Sequence, residues 1–280
     1  MDKFFNPTSV VVIGASNSPF NLGATICRAL NEFSPYPGKV YAVNRKGEDV
    51  HGCPGFTRVT DIPDNVDLAV VIAPSAVVPA FLEQCGEKGI RHVVIESSGF
   101  SEAGEQGKAL QGKIDGIRSR YGIRVMGPNC LGVLNTENKF CCFYGIQKED
   151  FEIFAGESGE VSYIIQSGGI VVIVLESFRT DVVKAAKIVS IGNKSDIDEA
   201  DMLEYFENDP KTKVIGMYIE NVTKGRKFLE TARRVTKPVL VFKVGRTQEG
   251  VRAALSHTAG MANNDLIFDA ACRQAGIIRV

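Results

Sequence analysis

Apolar residues gather along this chain in short β-branched runs set between longer stretches of mixed character. Five runs in the first half, at 9–13, 39–43, 68–72, 92–96 and 124–126, are apolar nearly throughout instead of alternating with polar residues. Runs of that kind predict strands buried on both faces. The stretches 22–33, 77–88 and 104–121 lie between them and predict helices. Strand then helix, repeated, implies a parallel sheet covered on both sides, so residues 1–135 predict an α/β, doubly wound, Rossmann-like domain.

Around residues 134–160 that rhythm stops, and aromatic residues mix with charges in FCCFYGIQKEDFEIF at 140–154. Residues 136–159 are therefore expected to form the junction between two domains. The alternation then restarts, with strands predicted at 160–166, 185–191, 214–219 and 238–243 and helices at 168–179, 199–208 and 224–235. A second parallel α/β domain over 160–280 follows, flavodoxin-like because it is short and has about four strands. No repeat at a solenoid period and no low-complexity tract interrupts the pattern.

Composition narrows the functions open to such a chain. With 280 residues, 44% hydrophobic and 23% charged, it has the make-up of a soluble globular protein. A formal net charge of −1, with both signs interleaved, gives no global field for nucleic acid or an anionic membrane, so any polyanion must be bound locally. The first apolar run breaks at Gly14 without a small-residue cleavage site and reads as a strand, not a secretory leader. The later run at 170–175 is far short of the roughly 20 residues that span a bilayer. A cytoplasmic location is expected. Seven cysteines, an odd number without CxxC spacing, predict reduced core or site residues in place of a disulfide framework or a zinc site.

In open parallel sheets ligands sit beyond the carboxyl ends of the strands. In the first domain those ends carry Gly14 and Ser16; Val43, Asn44, Arg45 and Lys46; Ala73 and Pro74; Ser97 and Ser98; and Asn129 and Cys130. This rim of small residues, hydroxyls, amides and two cations suits a phosphate-bearing nucleotide, although each loop taken singly also suits an ordinary turn. The G-x-G-x-x-G fingerprint is missing, and Asn44-Arg45-Lys46 stands where an NAD site would place a carboxylate. That disfavours a nicotinamide-dependent oxidoreductase and favours a ligand with extra phosphate.

In the second domain Gln166-Ser167-Gly168-Gly169 ends a strand and opens a helix, which makes either an anion site or a plain tight turn. Gly192-Asn193-Lys194 follows the next strand and Glu220 the one after. Near the C-terminus His257 lies between Ser256 and Thr258 among small residues. A histidine so placed can act as nucleophile or base, or merely be solvated. His51 and His92 lack such surroundings and receive no role.

Three blocks in order, GPNCLGVLN at 127–135, IVSIGNKSDIDEADMLEYFENDPKTKVIGMYIE at 188–220 and KPVLVFKVGRTQEGVRAALSHTAG at 237–260, resemble the α subunit of succinyl-CoA synthetase. More closely they resemble the corresponding region of ADP-forming acetate–CoA ligases, members of the nucleoside-diphosphate-forming acyl-CoA synthetases. The resemblance implies that the first domain binds coenzyme A, with Asn129 and Cys130 near its thiol end. It implies that His257 is phosphorylated in turnover, that Glu220 holds the histidine by a hydrogen bond, and that the Ser167-Gly168-Gly169 helix start receives the phosphoryl group. Asn193 is counted with these phosphate-binding positions. ATP/ADP or GTP/GDP, with Mg²⁺, would bind an ATP-grasp β subunit, making a hetero-oligomer acting on a small carboxylic acid or its acyl-CoA.

The chain departs from that pattern in three places. Ser256-His257-Thr258-Ala259 stands where the family reads Ser-His-Thr-Gly, Gly168-Gly169 where it reads Gly-Ala, and 140–160 differs most. A rival reading keeps the CoA pocket and drops the ligase activity, giving a CoA-binding regulatory protein of the same fold.

Overall fold

The computed structural model describes residues 1–34, 36–154, 157–177, 184–244 and 265–280. A six-stranded sheet comes first, built from β1 (Ser9–Ile13), β2 (Lys39–Val43), β3 (Gly55–Phe56), β4 (Leu68–Val71), β5 (His92–Ile95) and β6 (Arg124–Met126). Its order is β3-β2-β1-β4-β5-β6 with every pairing parallel. That is the Rossmann order, and its direction reverses between β1 and β4. Successive residues of each strand point to opposite faces, and both faces are buried. Val11, Ile13, Ala69, Val71, Val93 and Ile95 enter one core cluster, and Val10, Val12, Leu68, Val70 and Val94 another. The unbroken apolar runs have this cause.

Helices α2 (Val78–Lys88) and α3 (Gly104–Tyr121) cover the first of these faces, each ended by a left-handed glycine, Gly89 or Gly122. On the other face α1 spans Leu22–Arg28, and its predicted continuation runs on as a π-turn over Ala29–Phe33. Asn21 caps α1, accepting from Ala24 N at 2.8 Å.

The second sheet differs from the expectation of about four strands. It has seven, in the order β13-β12-β11-β9-β10-β7-β8, from β7 (Val133–Asn135), β8 (Phe140–Cys141), β9 (Val161–Ile165), β10 (Ala185–Ser190), β11 (Val214–Ile219), β12 (Val239–Lys243) and β13 (Ile278–Arg279). The five parallel strands β10-β9-β11-β12-β13 keep the flavodoxin-like 2-1-3-4-5 order, with the switch point between β9 and β11. To these β7 and β8 add an antiparallel edge, so the expected boundary at 135 falls at the end of a strand that pairs into the second sheet. The FCCF stretch explains the addition: Phe140, Cys141, Cys142 and Phe143 are all fully buried, and burial outweighs the charged residues beside them.

Among the described residues the helices of this half are α4 (Lys148–Phe154), α5 (Gly168–Ser177), α6 (Glu199–Asn208), α7 (Gly225–Ala232) and α8 (Asp265–Ala275). Asp198 caps α6 in a capping box with Asp201, and Lys227 holds both carboxylates at 2.8–2.9 Å. Lys227 and Lys224 draw the buried Asp198 carboxyl down to about 2 against the opposing pull of desolvation.

One apolar cluster crosses from sheet to sheet, joining Val10, Ile26, Val70 and Val94 to Ile164, Val189, Phe206 and Phe268. Phe5 stacks on Tyr205 with centroids 4.6 Å apart, and Asn135 Nδ2 donates to the Phe5 carbonyl at 3.1 Å. Arg124 pairs with Asp196 at 2.8 Å. The two sheets are thus held together by core packing, and the carboxyl ends of their strands frame a shared cleft.

Candidate functional site

The cleft is a cavity of about 950 Å³. The switch point of the second sheet opens into it: the ends of β9 and β11 supply Gln166-Ser167 and Glu220-Asn221 to its wall. Gln166 ties those ends together, its Oε1 accepting from Glu220 N at 2.9 Å and Asn221 N at 3.3 Å. The buried Glu220 carboxylate lines the cavity, and α5 presents its N-terminus beside it through Ser167, Gly168 and Gly169. Free backbone N–H groups and the helix dipole make that terminus suited to an anion.

The loop after β10 is fitted against the loop after β6. Gly192 has φ +52, and a Cβ there would meet Pro128 O at 2.3 Å and Asn129 O at 2.4 Å. Asn193 N donates to Pro128 O at 2.9 Å and Ser195 N to Gly127 O at 3.0 Å. These bonds bring Asn129 and Cys130 of the first domain onto the same cavity as Asn193 of the second, with Asn129 Nδ2 3.4 Å from Asn193 Oδ1. Asn193 Nδ2 also donates to Glu102. Burial would raise the Glu102 carboxyl, but that bond and those from the Gly99 and Phe100 amides hold it below the usual range.

Under the same loop Lys194 and Glu199 form an ion pair at 3.0 Å, each side chain only 1% exposed. Lys194 Nζ donates further to Asn221 O at 2.6 Å, which fastens the loop after β10 to the end of β11.

Of the residues singled out in the sequence, Asn129, Cys130, Ser167, Gly168, Gly169, Asn193 and Glu220 therefore meet at one cavity. The others line the carboxyl rim of the first sheet, away from it. Gly14 has φ +99, and a Cβ would stand 2.2 Å from Ile72 O. Ser16 N donates to Asn21 Oδ1, and the Val43 side chain belongs to the core while its carbonyl accepts from Gly14 N. Asn44 Oδ1 accepts from the Lys46 and Glu48 amides, Lys46 pairs with Glu48 at 3.4 Å, and Arg45 is exposed. Ser97 Oγ accepts from Ala73 N at 3.0 Å, latching β5 to β4, while Pro74 and Ser98 are exposed. A glycine-backed loop, small residues and two exposed cations, Arg45 and Lys46, fit a phosphate-bearing ligand such as coenzyme A. His257 lies outside the described residues.

Sequence reasoning named Gln166 and Lys194 at strand ends without giving either a role, and it passed over Glu102. Gln166 and Lys194 adjoin residues that were singled out, so adjacency was the available signal. Glu102 had none, because the 91 positions that separate it from Asn193 are closed only by folding.

Among the described residues no group of three or more His, Cys, Asp or Glu side chains is placed to hold a metal ion. No helix there is long and apolar enough to cross a membrane. All seven cysteines are free and buried.

A Rossmann-type sheet and a flavodoxin-type sheet meeting on one cavity define a class, and comparison with known proteins agrees. Residues 8–136 match the family described as CoA binding domain, and residues 158–280 the succinyl-CoA ligase like flavodoxin domain. The chain thus joins a CoA-binding domain to a succinyl-CoA-ligase-like flavodoxin domain.

The chain is 40% identical to the α subunit of acetate–CoA ligase [ADP-forming] II of Pyrococcus furiosus, over 99% of this chain and 59% of that protein. It is 41% identical to acetate–CoA ligase [ADP-forming] I of Archaeoglobus fulgidus, over 99% of this chain and 39% of that protein. The solved acetyl-coenzyme A synthetase 1 of Ca. Korarchaeum cryptofilum, in complex with phosphate and ADP, superposes with a TM-score of 0.91 at 35% identity, covering 100% of this chain and 59% of that one. This chain thus spans less than two thirds of the length of these relatives.

Proposed function

We propose that this chain acts as the CoA-binding, phosphohistidine-bearing part of a nucleoside-diphosphate-forming acyl-CoA synthetase. The observation that carries the reading is the Glu220 carboxylate, buried at the switch point and facing one cavity together with the α5 N-terminus and the Asn129–Cys130 loop. In this reading an acyl-CoA, a nucleoside diphosphate and phosphate are interconverted with a carboxylic acid, CoA and a nucleoside triphosphate. Phosphate displaces the CoA thiolate from the acyl carbon to give an acyl phosphate, and the thiolate takes up a proton. His257 then attacks phosphorus, the P–O bond to the acid breaks, and the phosphoryl group rides on the ring nitrogen to the nucleotide.

Each described residue has a part. The α5 N–H groups, with Ser167, bind phosphoryl oxygens and offset their charge. Asn193, oriented by Glu102, gives a further hydrogen bond. Glu220 holds one ring nitrogen of His257, fixing the tautomer and leaving the other nucleophilic. The first sheet's rim, from Gly14 to Arg45, holds the phosphate-bearing end of CoA. The nucleotide with its Mg²⁺ is assigned to an ATP-grasp partner subunit, a division supported by the α-subunit relatives.

The test is to incubate the chain and its partner with acyl-CoA and labelled phosphate, comparing wild type with His257→Asn and Glu220→Gln. Acid-labile, base-stable label is expected in wild type, none in His257→Asn, and slower labelling in Glu220→Gln. Undiminished label in His257→Asn, or label that survives acid, would move the acceptor to Ser256 or Thr258 and overturn the assignment.

A further inference from the structure

The turn between β2 and β3 packs against α1 around two thiols. Cys27 on α1 and Cys53 in the turn are each at most 1% exposed and share one core cluster. The Cys27 thiol donates to the Cys53 thiol, and Cys53 Sγ lies 3.8 Å from Cys27 O. We propose that Cys27 and Cys53 form an oxidation site, closed to a reversible disulfide by a hydroperoxide, and that the bond fastens the loops of the first sheet's rim to α1.

A disulfide needs two backbones already held at the right separation. Here three further contacts hold the turn on the helix and its π-turn. Asn31 Nδ2 donates to His51 O at 2.7 Å, Glu32 pairs with His51 Nδ1 at 2.9 Å, and a Cβ on Gly52 would stand 2.5 Å from Asn31 Nδ2. Val50 and Cys53 exchange backbone hydrogen bonds at 3.0 and 2.9 Å around His51 and Gly52, whose φ values are +47 and +77. A histidine is a strained occupant of that left-handed region, so the turn opens locally more readily than the strands beside it and admits a small oxidant to Cys53.

The thiol pair assigns the order of steps. Cys27 is the donor, and its bond to Cys53 together with burial pushes its pKa up, so Cys53 is the sulfur that attacks first. With hydrogen peroxide, the Cys53 sulfur takes one oxygen, the O–O bond breaks, and the other oxygen leaves with the thiol proton as water, giving a sulfenic acid. The Cys27 sulfur then attacks the Cys53 sulfur, the S–O bond breaks, and the hydroxyl leaves with the Cys27 proton as a second water. Two thiols lose two electrons and the peroxide is reduced to two waters. The turn is tied to the rim on both sides: Asn17 Nδ2 donates to Asp49 O at 2.9 Å, Asp49 Oδ1 accepts from Gly55 N at 2.8 Å, and Asn44 Oδ1 accepts from the Glu48 amide at 3.2 Å. A bridge at Cys53 therefore braces the loop after β1 and the loop after β2 together.

This site stands apart from the ligase reading, and its test needs no turnover. The native chain is treated with stoichiometric hydrogen peroxide, quenched and denatured, its thiols are counted, and the link is mapped by peptide mass. The seven free thiols should fall by two, with a Cys27–Cys53 peptide that dithiothreitol separates. The bridged chain should melt about 5 °C higher, because the bond closes a loop between residues 26 positions apart. Amide exchange over residues 44–55 should slow at least about threefold. Cys27→Ser and Cys53→Ala should each lose the link and both gains. An unchanged thiol count, a link to any other cysteine, Cys53 oxidised without Cys27, or melting and exchange that do not move on bridging would overturn the proposal. The wild-type cross-link decides the matter even where a variant fails to fold.

Discussion

Gly14 and Glu96 show how single positions were and were not legible. Gly14 stood out because it ends a strand and begins a candidate phosphate loop, and the structure gives it φ +99 with Ile72 O where a Cβ would go. Gly14→Ala should cost about 2–4 kcal/mol by strain and displacement of β4, measured by denaturant unfolding, and should weaken CoA binding. Nothing marked Glu96, the last residue of the apolar run at 92–96, which follows β5 directly. Its carboxyl is fully buried, and neither oxygen has a hydrogen-bond partner among the described residues. Burial raises its pKa well above the ordinary value, so the folded state keeps a proton that the unfolded chain releases above about pH 4.3. Stability therefore falls as pH rises through that value toward the folded pKa. Glu96→Gln removes the titration, and its stability relative to wild type should improve between pH 5 and pH 8 in parallel melts.

Strands and helices were legible wherever hydrophobic period and local caps agreed. The runs at 9–13 and 124–126 became β1 and β6, and the helix expected at 104–121 is α3. The edge strands β7 and β8 were not legible, because two- and three-residue strands carry no period and are fixed by the neighbours that bury them. The loop between β10 and α6 was equally opaque. Its position depends on the Lys194–Glu199 pair, invisible as such in a run reading NKSDIDE. Lys194→Met should destabilise by about 3–5 kcal/mol, since it leaves a buried carboxylate unpaired. Lys194→Met with Glu199→Gln should recover much of that loss in chemical denaturation, because no buried charge then remains.

For the molecule as a whole, the cluster that crosses both sheets predicts joint unfolding. Domains joined by polar linkers melt separately, whereas these two share Val10, Val94, Val189 and Phe206 in one core. A single calorimetric transition, coincident by near- and far-ultraviolet circular dichroism, is expected. An isolated fragment of residues 1–136 should expose that face and associate, seen as an increase in mass by light scattering.

The sequence by itself determined two parallel α/β units, the rim of small residues and cations, and the separate fragments around Asn129, Ser167, Asn193, Glu220 and His257. All of these follow from short-range rules of period, turn chemistry and strand ends. Only the tertiary structure decided that the first sheet's last loop and the second sheet's switch point share one cavity. It alone decided that Gln166, Glu102 and Lys194 orient the site. Those facts depend on contacts between residues as much as 91 positions apart, and local pattern holds no record of which distant loop burial will press against which.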